Sequence, residues 1–166
     1  MFGEERTTNR RKSVEWYTPA WIFEALALPF DMDPASPHDM ETAVPAKIKY
    51  TVYDDGLNRP WAGRVWLNPP YGPDTGLWMR KMAGHGCGVA LVFARTDARW
   101  FQECLASSDA VLFVAGRIEF VPGRENAHKK SRCGAGSAFF AWGPDSVQGL
   151  RRLTGCGALF AREGVR

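Results

Sequence analysis

Residues 64–72 read Arg-Val-Trp-Leu-Asn-Pro-Pro-Tyr-Gly, and Asn68-Pro69-Pro70-Tyr71 is the part of the chain best equipped for chemistry. The side-chain oxygen of Asn68 accepts a hydrogen bond, and the Pro69 carbonyl accepts another. Two successive prolines donate none and fix the chain direction, so both acceptors are held in place before a substrate arrives. Tyr71 adds a flat π-surface beside them. Two acceptors and a stacking face match a planar group carrying an NH2, and a base in a duplex must be flipped out to reach them. The amine of such a ring is a poor nucleophile because its lone pair is delocalised. Acceptors on both N–H bonds favour a tetrahedral nitrogen, whose lone pair can then point at an aligned electrophile. No metal is required.

The flanking sequence must place this tetrapeptide. Short apolar runs predict strands over Phe30 to Asp33, Lys47 to Val52 and Arg64 to Asn68. Gly88 to Ala94 is the clearest buried strand, too continuous for a one-sided sheet. Ala110 to Ala115 repeats the pattern, and Ser137 to Trp142 is expected as the last strand. Thr18-Pro19 is expected to open a helix, with Thr18 as N-cap and Trp21, Ile22, Ala25 and Leu26 at helical spacing. Asp74 to Ala83 spaces Leu77, Trp78 and Met82 as one face; Arg99 to Leu105 does so with Trp100, Phe101, Cys104 and Leu105. Strands alternating with helices predict an α/β fold with a mostly parallel sheet and helices on both faces. In such a sheet ligands bind at the carboxyl ends of strands, where Asn68 stands.

The 166 residues, 45% hydrophobic and 23% charged, suit one folded domain. No apolar run approaches the roughly 20 residues of a membrane span, and no signal-peptide pattern opens the chain. Cys87, Cys104, Cys133 and Cys156 form no C-x-x-C pair, and His38, His85 and His128 have no ligand spacing, so no metal site is expected. Isolated thiols without an export signal predict a cytoplasmic protein. Net charge is +3, but unevenly spread: residues 1–12, 117–132 and 151–166 carry +2, +3 and +3, leaving −5 for the rest. Basic edges around a neutral-to-acidic body suit a polyanion. Residues 1–13 are polar and aperiodic and read as a flexible arm; 14–166 read as a single domain. The long polar stretch at about 117–136 reads as a functional loop. Nothing specifies an oligomeric state.

The motif and its neighbours resemble a known family. Asn68-Pro69-Pro70-Tyr71 resembles the catalytic Asn/Asp-Pro-Pro-Tyr/Phe motif of amino-methyltransferases. Glu15-Trp-Tyr-Thr18-Pro19 resembles their N-terminal Thr-Pro element, and Asp31-Met-Asp33-Pro34-Ala35 the acidic-Pro-Ala core of their first cofactor motif. With Tyr53-Asp54-Asp55-Gly56-Leu57 and Ala94-Arg95-Thr96-Asp97 before Trp100-Phe101, the run over about residues 15–142 is similar to small phage and prophage DNA N6-adenine methyltransferases. The resemblance implies an abbreviated Rossmann-like class I methyltransferase fold, S-adenosylmethionine as cofactor, double-stranded DNA as partner, and a phage or prophage protein acting in a host cell, in restriction–modification or regulation. It implies catalytic roles for Asn68, Pro69, Pro70 and Tyr71, and cofactor contacts for Tyr17, Thr18, Pro19, Asp33, Pro34, Ala35, Asp54 and Asp55. Two departures stand out. Asp33-Pro-Ala-Ser-Pro-His38 replaces the usual glycine-rich turn, and Asp33 to Asp54 is too short for two strand–helix units, so no ribose-binding acid is assigned.

Other roles compete residue by residue. Asp33 either accepts from the cofactor's amino group or caps the turn before Pro34. Asp54 and Asp55 either meet the cofactor's adenine amine or build an Asp-Asp-Gly turn. Trp16 and Tyr17 are expected to pack rather than stack on a ligand, and Asp97 to cap the helix holding Trp100. Only 12 residues (56–67) separate Asp55 from Asn68, so no recognition domain fits there. DNA contacts are expected from Arg95, Arg117, Arg124, Lys129, Lys130 and Arg132, with the arm at 6–12 as phosphate anchor. The same motif also serves methylation of adenine in RNA and of glutamine in protein, and a non-catalytic DNA-binding remnant is the third reading.

Overall fold

The computed structural model describes residues 16–123 and 135–164. The arm at 1–13 and Arg124, Lys129, Lys130 and Arg132 lie outside them. The elements run β1 (Trp16–Tyr17), α1 (Ala20–Leu26), β2 (Phe30–Asp33), β3 (Ala46–Lys49), β4 (Val65–Leu67), α2 (Thr75–His85), β5 (Gly88–Phe93), α3 (Arg99–Ser107) and β6 (Ala110–Val114). They end with β7 (Val121–Pro122), β8 (Ser137–Trp142), α4 (Pro144–Arg152) and β9 (Gly157–Ala161).

Seven strands form one sheet in the order β3-β2-β4-β5-β8-β6-β9, and β1 and β7 form a separate pair. The expected parallel arrangement holds on one side, where β3, β2, β4 and β5 pair in parallel. The other side is antiparallel, because β8 inserts between β5 and β6 and β9 closes the edge. The sheet is therefore mixed. Ser137–Trp142 is not the last strand. Gly143-Pro144-Asp145 starts α4 with a proline in its first turn and an acidic residue beside it, and β9 follows.

Alternation along the strands sends side chains to two cores. Trp66, Val89, Leu91, Phe139 and Ala141 face α1 and α4, meeting Ile22, Phe23, Leu26, Val147 and Leu150. Val65, Leu67, Ala90, Val92 and Phe140 face α2 and α3, meeting Met79, Met82, Phe101 and Cys104. Helices thus cover both faces, as expected. Trp66 is the largest fully buried side chain, edge-on to Phe23 at 4.7 Å and to Phe30 at 5.6 Å between centroids. Burying each such side chain contributes about 1.5–3 kcal/mol. On α2 the buried row is Thr75, Met79 and Met82, at steps of four and three; Leu77 points outward, 49% exposed. Gly88 is obligatory, because a Cβ there would stand 2.0 Å from the Val65 carbonyl oxygen.

The chain's path creates the ligand-facing edge. From β2 it moves outward to β3, then crosses back to lay β4 on the other side of β2. The carboxyl ends of β2 and β4 therefore flank the point where the strand order reverses, the usual ligand crevice of an open α/β sheet. Asp33 ends β2, and Asn68 follows β4. The segment between them carries β3 and no helix, so it holds fewer than two strand–helix units.

Candidate active site

β4 is three residues long and buried throughout, so Asn68 leaves the sheet from a fixed base. The turn beyond is held by Thr75, whose hydroxyl donates to the Pro70 carbonyl at 2.9 Å and accepts from Gly72 N–H at 3.0 Å. Asn68 Nδ2 donates to the Trp16 carbonyl at 2.8 Å and lies 3.5 Å from Thr18 Oγ1. A carbonyl only accepts, so the nitrogen must face Trp16 and Oδ1 must face the other way. There it accepts from the Tyr71 hydroxyl at 3.0 Å. The Tyr71 ring is stacked on Phe93, with centroids 3.7 Å apart and planes 11° apart. The expected acceptor and the expected stacking face thus stand together. Sequence reasoning missed Phe93; an aromatic residue ending the strongest buried strand at the ligand-facing edge was the available signal.

Thr18 is not the N-cap of α1. That position belongs to Pro19, and no side chain caps the helix. Thr18 is buried and turned toward Asn68, because the chain leaving β1 passes the end of β4 before the helix begins. Tyr17 is buried and Trp16 packs against the core, as expected of both. Asp97 does not cap α3 either: the helix starts one residue late, with Ala98 at the cap.

Asp33 is 4% exposed. Its Oδ1 accepts from Ala35 N–H at 3.1 Å, so it does cap the turn before Pro34. Burial pushes its carboxyl up to about 6, against the smaller opposing pull of the Ala35 N–H. Tyr50 N–H donates to the Asp33 carbonyl, and Ser36 N–H to the Tyr50 carbonyl, both at 2.8 Å. Gly56 packs on the same turn so closely that a Cβ would lie 2.0 Å from the Pro34 carbonyl oxygen. The loop of Asp54 and Asp55 is therefore brought against Asp33-Pro34-Ala35. Asp54 accepts from Thr51 N–H at 2.8 Å and from its hydroxyl at 2.9 Å, which holds its carboxyl below the ordinary range. Asp55 adopts a left-handed backbone, φ 54°, and accepts from Asn58 Nδ2 at 2.8 Å. Both carboxylates build the turn.

Arg95 and Arg117 are exposed at the carboxyl end of β5. The Arg117 guanidinium passes over Gly136, which accepts from Ala94 N–H at 2.8 Å, so both arginines stand beside the chain leaving β5. Among the described residues no cluster of His, Cys, Asp or Glu has metal-ligand geometry, and no helix is long and apolar enough to cross a membrane.

A family model described as DNA N-6-adenine-methyltransferase (Dam) matches residues 5–149, most of the chain. The chain belongs to that family. The match spans the Thr-Pro element, the Asp33 turn, the Asn68–Tyr71 motif and the basic stretch after β7. No curated protein and no solved structure shows significant similarity to it.

Proposed function

We propose that this member of the family transfers a methyl group from S-adenosylmethionine to the N6 amine of an adenine flipped out of double-stranded DNA, on an abbreviated Rossmann-like class I fold. The observation carrying the proposal is the Asn68 carboxamide, held by its nitrogen so that its oxygen faces the Tyr71 hydroxyl. A hydroxyl donor occupies the place an amine donor would take.

The residues at the ends of β2 and β4 fit the cofactor. A buried carboxylate with a backbone N–H as partner, at the point where strand order reverses, suits a positively charged ligand. Asp33, with Pro34 and Ala35 and the apposed Asp54–Asp55 loop, would hold it, flanked by Tyr17, Thr18 and Pro19. When bound, S-adenosylmethionine supplies an electrophilic methyl group on a sulfonium. Asn68 Oδ1 and the Pro69 carbonyl accept the two amine N–H bonds, drawing the lone pair out of the ring and aligning it. The Tyr71 ring, steadied by Phe93, gives the base its stacking surface. Arg95 and Arg117 meet phosphates, and Arg124, Lys129, Lys130 and Arg132 extend that contact along the backbone.

Tritium transfer from labelled cofactor to duplex DNA, RNA and a glutamine peptide tests the reading. Label is expected in duplex DNA, as N6-methyladenine. Label only in RNA or peptide would replace the substrate. A calorimetric titration without saturable cofactor binding would leave a DNA-binding remnant.

A further inference from the structure

The segment leading into the basic stretch touches the Asn68–Tyr71 motif by two separate routes. β7 pairs with β1, Trp16 opposite Pro122 and Tyr17 opposite Val121. The Trp16 carbonyl on that pair is the acceptor of Asn68 Nδ2, and Thr18 lies just beyond it. One residue before β7, Phe120 is 2% exposed and meets Phe93 edge-on, 6.4 Å between centroids at 90°. Phe93 is the ring on which Tyr71 lies. The two routes leave neighbouring residues and arrive on either side of one hydrogen bond, from the Tyr71 hydroxyl to Asn68 Oδ1.

We propose that Phe120–Pro122, acting with Thr18, positions the motif: it decides which end of the Asn68 carboxamide faces the substrate and where the Tyr71 ring stands. The proposal rests on the amine-methylation reading. The terminal torsion of an asparagine is broad and two-fold, so its two orientations have nearly the same shape. They differ in chemistry. With the nitrogen turned outward, a donor would face the donor amine, and the lone pair would stay in the ring. Sequence near Asn68 does not choose between the orientations. The Trp16 carbonyl on β1 does, and β1 is not a strand of the main sheet; among the described residues its ladder is with β7. The stack on Phe93 fixes the tyrosine in the same way, with Phe120 bracing the far ring.

The test uses the full chain with Thr18→Val, Thr18→Ser and Phe120→Leu, each first checked for cooperative thermal unfolding. The Asn68 side-chain NH2 resonances, assigned by their disappearance in Asn68→Asp, should exchange slowly with solvent in the parent chain. Exchange should quicken in Thr18→Val and Phe120→Leu and return toward the parent rate in Thr18→Ser. In methyl transfer, kcat should fall about tenfold in Thr18→Val and Phe120→Leu, with KM for DNA changed less than about twofold. Unaltered exchange and kcat in both variants would overturn the proposal. So would a Thr18→Val defect confined to cofactor affinity. A parent chain without methyl transfer would refute the functional reading instead, and the exchange measurement would still decide whether the segment orients Asn68.

Discussion

The two halves of the sheet are built on different terms. In the parallel half, polar residues stand at the carboxyl ends of β2 and β4: Asp33, the last of β2, is buried with its carboxyl pushed up, and Asn68, just after β4, is tied to a distant carbonyl. In the antiparallel half, all six residues of β8 are buried, Phe139 and Phe140 fully or nearly so, and the strand is apolar apart from Ser137 and the indole N–H of Trp142. One half holds polar groups that cost stability at the proposed ligand site. The other supplies the burial that offsets them. Within β2 the same contrast appears over two residues. Asp31, on the same face as Asp33, is paired with Lys47 at 2.8 Å and is held below the ordinary range by that amine and by Arg64 N–H. Asp33, at the crevice, feels Lys49 only through a weaker coulombic pull, and burial outweighs it and raises the carboxyl.

Substitutions should separate the halves. Asn68→Ala should lower kcat for methyl transfer by about 10²–10³-fold and cost only about 1 kcal/mol of unfolding free energy, from the lost bonds to Trp16 and Tyr71. Transfer to DNA undiminished by this change would remove Asn68 from the mechanism. Phe140→Ala should do the reverse. It removes a fully buried ring packed on Phe101 at 5.0 Å and stacked on Trp142, and should cost about 3–5 kcal/mol in urea unfolding. Activity per folded molecule should persist.

Asp33→Asn gives a smaller, pH-dependent effect. The folded value, about 6, lies above the unfolded value of about 4, so the folded state binds the proton more tightly. Its contribution to stability is therefore present at low pH and is lost as pH rises from 4 through 6. Asparagine keeps the acceptor for Ala35 N–H and has no charge to bury. At pH 7 the variant should be more stable than the parent by on the order of 1–3 kcal/mol, and at pH 3.5 the difference should vanish. Cofactor binding should weaken at the same time, and stability without that loss would make Asp33 a turn cap alone. The smallest effect is expected of Arg95→Ala and Arg117→Ala. Each should weaken binding to all DNA sequences alike and reduce the slope of log affinity against log salt by about 1. A loss of discrimination between sequences would make them base-reading residues instead.

Much of the parallel half was legible in the sequence. Continuous apolar runs mark β4 and β5, an alternating Phe-Asp-Met-Asp between prolines marks β2, and the tetrapeptide names its own acceptors. The edges were not legible. α4 and β9 follow Trp142, where Gly143-Pro144 reads as a break but starts a helix. Capping failed twice for one reason: Thr18 and Asp97 have the right types, and the helices begin one residue later than those types suggest.

The sequence by itself determined the chemistry on offer at residues 68–71: an amide oxygen, a proline carbonyl and a π-surface on a chain too stiff to rearrange. Covalent structure fixes those properties wherever the segment lies. Only the tertiary structure decided their direction. The partner of the Asn68 nitrogen is the carbonyl of Trp16, 52 residues away, and the partner of the Tyr71 ring is Phe93 on another strand. A carboxamide has two orientations of nearly equal local energy, so contacts brought in by the fold had to choose between them.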